Sequence, residues 1–473
     1  MYRPKYFLIF LVIAFLFGGR GLLIDPVRAQ SDDLPFDLKG HFAPTDDPSD
    51  SLPDEERRSI KEEIRMNRER LWLEGKISLT GVSRPVLQWP TRKASGLLDF
   101  HIGQISSYVD QNPAFPNQVL DWNCGMRTYD LQDGYNHQGV DINSFQFPWK
   151  RMYQNEVEAV AAADGVIVAK ADGNFDRNCS TTTGGALNRV NILHADGSET
   201  WYLHLKNGSV TSKEIGESVK AGEYLGIAGS SGRSSVPHLH LEVYNAAGQL
   251  QEPFQGPCNS MNGFSWWALQ ETYRNPRINS LLTGSDVPSF PACPAKEITN
   301  EKIVFQPGEN ITVSAHIRDI LVGQEIQFSI LRPDASTFQS WSVISTSTSN
   351  ASFRFANWTL GSGAPVGTWK YVVNFNGVTY ERNFYVGQPP PVDVSGRIVR
   401  HNGTGISKAR VVAYNSAGDV AARALSSPFG YFNLVGLNVG QEYRFEVVSK
   451  RYAFNERTIM LPGEISALDF TSR

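Results

Sequence analysis

Cysteine is scarce in this 473-residue chain: there are four, Cys124, Cys179, Cys258 and Cys293, and none sits in a Cys-x-x-Cys pair. A cysteine metal cluster, whose ligands come as such close pairs, is therefore not expected. Charge of one sign is lacking too. Lys and Arg number 44 against 48 Asp and Glu, a formal net charge of −4. With no basic cluster, nucleic acid is excluded as an expected partner. Beyond the N-terminus no apolar run is long enough to cross a bilayer. The glycines Gly226, Gly229 and Gly232 have no Gly-Lys-Ser/Thr sequence leading into a helix, so a phosphate loop is excluded and a tight turn is expected.

One long apolar run stands at the start. Phe7–Phe17 follows Arg3 and Lys5, and Val27-Arg28-Ala29 offers a cleavage site, so residues 1–29 read as a signal peptide. The competing reading is an uncleaved anchor. After cleavage no transmembrane span remains, and the protein is expected to be secreted or held in the cell envelope. An even number of cysteines in an exported chain implies disulfides with three possible connectivities. Nearest-neighbour pairing, Cys124 with Cys179 and Cys258 with Cys293, is the expectation.

The length suggests about three domains. Residues 30–95 form an acidic lead and a charged helix. Ser51 is a cap candidate with Asp54 three residues on, Gly75 a stop, and Ile60, Ile64, Leu71 and Leu73 a narrow apolar stripe. This helix is either a solvated surface element or a propeptide-like segment docked on the next domain. In the second case Asp32, Asp33, Asp46, Asp47 or Asp50 could present a carboxylate to that domain, although none marks itself out. Residues 96–285 show short strands between glycine turns: Val166–Ala169, Val190–His194, Thr200–Leu205 and His238–Tyr244. His194, beside Ala-Asp-Gly, is expected to be exposed, and His101 to be structural. After the Pro-rich link Val287–Pro294, residues 296–388 alternate with period two, as in Ile311, Val313, Ala315 and Ile317 or Trp369, Tyr371, Val373 and Phe375, which fits a β-sandwich. Pro389-Pro390-Pro391 then leads into another β region at 392–473. The fold class expected is mainly β: an antiparallel sheet domain followed by two sandwiches, with a short N-terminal helical segment.

Chemistry concentrates in His137-Gln-Gly-Val-Asp141, Tyr-Leu-His204-Leu and His238-Leu-His240. On a strand, His238 and His240 project from one face, and His137 and Asp141 are close enough to reach one ion from a turn or a bent strand. A catalytic zinc takes three ligands of these types and keeps a position open for water. That leaves imidazoles for proton work.

The stretches GYNHQGVDI, VAAADGVIV, TWYLHLKNGSV, IGESVKAGEYLGIAGSSGRSS and VPHLHLEVY together resemble the lysostaphin and LytM zinc endopeptidases over residues 96–285. The resemblance implies one zinc held by His137, Asp141 and His240, and a catalytic pair, His204 and His238, that does not bind metal. It favours His238 as general base and His204 as oxyanion stabiliser, without separating the two. It implies hydrolysis of a peptide or peptidoglycan substrate. Leu241, where the family often has Phe, is a packing departure. Asp172–Asn188, with Cys179, is longer than the usual hairpin and is expected to reshape one wall of the groove. Residues 392–473 are similar to carboxypeptidase regulatory-like domains, which implies an accessory module that binds cell wall or polysaccharide or acts as a spacer. Two alternatives stand beside the enzyme: an inactive scaffold regulating other wall hydrolases, and a surface-binding protein acting through its C-terminal sandwiches.

Overall fold

The computed structural model describes residues 48–79, 81 and 83–473. The signal peptide expected at 1–29, and Asp32, Asp33, Asp46 and Asp47, lie outside the described residues. Strands dominate, and among the described residues no helix is long and apolar enough to cross a membrane.

The central strand of the main sheet is His238–Tyr244. It pairs antiparallel with Val140–Asn143 on one side and Glu199–Leu203 on the other. Gln104–Ser107 extends the sheet beyond the first neighbour, and Arg189–Leu193, Gly165–Ala171 and Ser218–Val219 extend it beyond the second. The alternation of the central strand sets its two faces. Leu239, Leu241 and Val243 enter a core with Val140, Ile142, Ile192 and Tyr202. His238, His240, Glu242 and Tyr244 point the other way. Leu241 is 1% exposed, the packing role expected of it.

The expected helix runs Asp54–Leu73, and Gly75, at φ +67°, ends it: the Gly75 amide bonds back to the Trp72 carbonyl and the Lys76 amide to the Leu71 carbonyl. Its start differs from expectation. The cap position is Pro53, with no side-chain cap bond, because Ser51 belongs to the short strand Asp50–Ser51 and its hydroxyl donates to the Thr181 carbonyl at 2.6 Å. The stripe is not solvated. Ile60, Ile64 and Leu71 pack on Val168, Leu193, Trp201, Leu203 and Tyr244, while Leu73 stays in water. His194, expected exposed, is buried. Its ring bridges the Asp164 carbonyl (2.8 Å) and the Thr200 hydroxyl (3.0 Å), so the hairpin turn closes over it.

Two sheets, one of Arg277–Gly284, Asn310–Ile320 and Ser349–Thr359 and the other built on Glu325–Leu331, Gly367–Phe375 and Val378–Val386, enclose one apolar core. Arg277–Gly284 lies before the Pro-rich link yet pairs along Asn310–Ile320. Residues 392–471 form two further sheets around their own core.

The cysteines pair as Cys124–Cys258 and Cys179–Cys293, not as sequence neighbours. Spatial order differs from chain order here. The Cys258 amide bonds the Trp122 carbonyl at 2.9 Å, and the Pro-rich link returns to bring the Cys293 sulfur within 3.7 Å of the Ser235 carbonyl.

Candidate metal centre

Strand register brings the chemistry together. His240 lies opposite Asp141 on one neighbour and opposite Leu203 on the other, so His204 is delivered one residue beyond that strand's end. His204 takes a left-handed backbone, φ 61°, which turns its ring out of the sheet's alternation. Its Nδ1 is held by the Ser231 carbonyl at 2.6 Å. Gly139, between His137 and Asp141, has no alternative at its position: a Cβ there would lie 2.4 Å from His240 Nε2. His137, Asp141, His204, His238 and His240, all named from sequence, meet in one place and are buried.

Each imidazole has one nitrogen committed and one facing the centre. A carbonyl only accepts, so it fixes the N–H on the nitrogen that meets it. His137 Nδ1 meets the Tyr108 carbonyl at 2.6 Å, and His238 Nδ1 the Val236 carbonyl at 2.8 Å. His240 is turned the other way. Its Nε2 meets Glu242 Oε1 at 3.1 Å, which leaves Nδ1 inward. The inward atoms of His137, Asp141 and His240 lie close together: His137 Nε2 is 3.3 Å from His240 Nδ1 and 3.1 Å from Asp141 Oδ1, and His240 Nδ1 is 2.8 Å from Asp141 Oδ1. These residues fit a cation. They are buried, of mixed imidazole and carboxylate type, and have lone pairs directed at one point while the outer ring nitrogens are satisfied elsewhere.

A fourth carboxylate joins them. Asp50, fully buried, places Oδ2 2.7 Å from His240 Nδ1 and 3.0 Å from both His204 Nε2 and His238 Nε2. Its Oδ1 accepts from Tyr129 (2.8 Å) and Tyr135 (3.3 Å). Two sets of donors are thus complete: Asp50 with His137, Asp141 and His240, and Asp50 with His204, His238 and His240.

The charges support one another. Burial would raise the Asp50 carboxyl, but the imidazoles of His240 and His204 hold it well below the carboxylate range. Burial and Asp50 would raise Asp141, and His137 and His238 draw it down. Against the opposing pull of burial, Asp50 and Asp141 hold His240 well above its ordinary value, and Asp141 with Asp50 raises His238. Burial keeps the Tyr129 and Tyr135 hydroxyls protonated, so they remain donors. Burial also opposes ionisation of Glu242. Arg57, reaching it at 2.6 Å from the N-terminal helix, and His240 bring it to about 2 nonetheless.

Sequence reading missed Glu242, Arg57, Tyr129 and Tyr135. Glu242 was legible as the next same-face position after His240. Arg57 and the tyrosines carry no local signal, because their elements meet the site only through the fold. Asp50 appeared among five acidic residues with nothing to single it out. In the long segment 172–188, Arg177 forms a bridge to Ser230 and Ser180 to Ser234. His101 is half-buried and stands outside this centre, its amide bonded to the Asn279 carbonyl.

Residues 135–253 match the peptidase family M23. The chain is 45% identical over 83 residues to the DD-carboxypeptidase/endopeptidase Mpg of Neisseria meningitidis, covering 18% of this chain and 16% of that protein. It is 33% identical over 112 residues to the glycyl-glycine endopeptidase ALE-1 of Staphylococcus capitis, covering 23% and 25%. The chain thus spans a quarter or less of the length of these relatives. Among solved structures it is similar to a mutant catalytic domain of the prophage-encoded M23 protein EnpA from Enterococcus faecalis, at 25% identity over 30% of this chain and 93% of that one, with a TM-score of 0.19. Residues 135–253, which hold all five site residues expected from sequence, are a domain of peptidase family M23.

Proposed function

We propose that this domain is a zinc-dependent endopeptidase, acting outside the cytoplasm on peptide bonds of peptidoglycan cross-links or glycine-rich peptides. One observation carries the reading: His137 Nε2, Asp141 Oδ1 and His240 Nδ1 converge on one buried point, with the Nε2 atoms of His204 and His238 beside it. The convergence of all five residues favours catalysis over an inactive scaffold. The relatives' names, an endopeptidase acting on glycyl-glycine and a DD-carboxypeptidase/endopeptidase, support the substrate class. Two disulfides support export.

Three ligands of this kind suit a catalytic zinc. When bound, the ion lowers the pKa of a water ligand to about 7 and polarises a carbonyl. The chain's own residues supply the rest. His238, its N–H held by the Val236 carbonyl, offers the Nε2 lone pair to take the water proton and later returns it to the leaving amine. It is assigned as base because Nε2 also lies 3.5 Å from Asp141. His204, its Nδ1–H held by the Ser231 carbonyl, turns Nε2 to the centre and in its imidazolium form donates from there to the developing oxyanion. Glu242 fixes the His240 ring, and Arg57 and Tyr244 fix Glu242. The strand-rich regions 296–388 and 392–473 are read as accessory, tethering the enzyme to wall or polysaccharide.

The test is digestion of purified peptidoglycans of different cross-bridge type by the zinc-loaded chain, with new amino termini identified by mass spectrometry. Cleavage at a defined peptide bond is expected. If the zinc-loaded chain releases no amino terminus from any wall type, the endopeptidase reading fails.

A further inference from the structure

We propose that the cavity where the metal-centre domain meets the two later strand-rich regions is a binding site for a small zwitterion, a free α-amino acid of glycine or alanine size, held at its carboxylate by Arg382 and at its ammonium by Glu301. The site uses no residue of the metal centre and does not rest on the endopeptidase reading.

The cavity has a volume of about 80 Å³, several times the ~10–15 Å³ that one water needs. Its walls come from segments far apart in the chain: Gln146 and Gln154 on either side of the short helix Pro148–Tyr153, Glu301 just before the strand Val304–Phe305, Arg382 on the strand Val378–Val386, and Thr458 to Met460 of the last region. Most of the charge around it is matched. Lys150 Nζ meets Glu156 Oε1 at 2.9 Å. Arg151 joins Glu156 Oε2 at 3.0 Å and Asp99 Oδ2 at 3.2 Å. Glu442, the remaining carboxylate of the lining, is exposed to water.

Arg382 and Glu301 are the exceptions. Arg382 is 8% exposed, yet only its Nε is bonded, to the Leu281 carbonyl at 2.8 Å, so among the described residues its two terminal amino groups have no partner. The Glu301 carboxylate has none either; only its amide is bonded, to the Thr299 hydroxyl. Burial raises the Glu301 carboxyl and Arg382 pulls it back, so the two feel each other's charge without forming an ion pair. Leaving buried charges unpaired is costly. A cation and an anion that stand apart across one cavity complement a ligand carrying both charges, not a simple ion. The guanidinium fork takes a carboxylate through two parallel bonds. At the other end, Gln146 and Gln154, 1% and 7% exposed, each leave a side-chain carbonyl oxygen without a donor. An ammonium brings three N–H donors and no acceptor. The small volume favours an amino acid whose side chain is a hydrogen or a methyl group.

The experiment is calorimetric titration of the full zinc-loaded chain with glycine, L-alanine and D-alanine, and with acetate and methylammonium as ligands carrying one end each. Glycine or one of the alanines should bind one to one with a Kd between about 10 µM and 1 mM, within reach of so small a ligand. Acetate and methylammonium should bind at least about tenfold more weakly, since each forgoes a charged hydrogen-bonding partner. Glu301→Gln, near-isosteric, and Arg382→Lys, which keeps the charge and loses the fork, should each weaken amino-acid binding by a similar factor. Thermal melts check that both fold, and Glu301→Gln carries the test alone if Arg382→Lys does not. No binding of any of the three amino acids at 10-fold above that range overturns the proposal. So does binding that both variants retain in full, which would place the amino acid on the metal ion, and so does acetate or methylammonium binding as tightly as glycine.

Discussion

His238 and His240 stand two positions apart on one strand face, and the difference between their proposed roles lies in which nitrogen is free. The carbonyl of Val236 takes one ring's Nδ1–H, and the carboxylate of Glu242 takes the other ring's Nε2–H. One ring therefore presents Nε2 to the centre and the other Nδ1. His137→Ala, Asp141→Ala and His240→Ala should each empty the metal site. His204→Ala and His238→Ala should keep the metal and lose turnover by about 10²-fold or more. Metal content and rates of the five purified variants check this, and full occupancy in His240→Ala would refute the ligand assignment.

At the scale of elements, the N-terminal helix buries one stripe, Arg57, Ile60, Ile64 and Leu71, and the strand Asn310–Ile320 is buried on both faces. Arg57 and Glu242 are a buried pair, with side chains 7% and 0% exposed. Arg57→Met should therefore destabilise by about 3–5 kcal/mol, because the carboxylate is left behind without its cation. Urea unfolding measures it, and a loss below about 1 kcal/mol would be that of a surface pair instead. His316 lies on the second face of its strand, against Phe147 and Phe353. Burial pushes it from 6.5 to about 3 against an opposing pull from Asp99, with a lesser push from Arg151. Between those values the unfolded chain binds a proton that the folded one does not. This group's contribution is thus intact above pH 6.5 and is lost as pH falls toward 3. His316→Phe should flatten the acid side of the melting-temperature profile relative to the parent. Parallel profiles would show that the residue does not titrate with folding.

For the whole molecule, the Pro-rich links suggested separable units, yet the units are in extensive contact. Phe145 and Phe147 share a cluster with Leu282, Phe290 and Phe353 across the junction. Arg127 pairs with Asp319 at 2.9 Å, and Arg457 with Glu158 at 2.5 Å. A chain ending at Pro294 would keep Arg277–Gly284 without the strand it pairs with and would expose that cluster. It should aggregate or melt well below the parent, as sedimentation and thermal melts will tell. A truncation that stays monomeric with the parent's melting temperature would restore the picture of independent units.

The residue patterns by themselves determined the mainly β class, the strand His238–Tyr244, the helix with its Gly75 stop, and the five residues of the centre. Each of these is a local matter of period, turn chemistry or ligand type within a few positions. Tertiary structure decided what depends on chain segments far apart meeting. Cys124 pairs with Cys258 because residues 121–124 and 256–258 lie side by side, a proximity that no spacing encodes. His194 and His316 are buried because another segment closes over a face that strand alternation leaves open to water. Asp50 is one of six aspartates in a polar lead, and the pairing of its strand with Arg233–Ser234 carries its carboxylate to the centre.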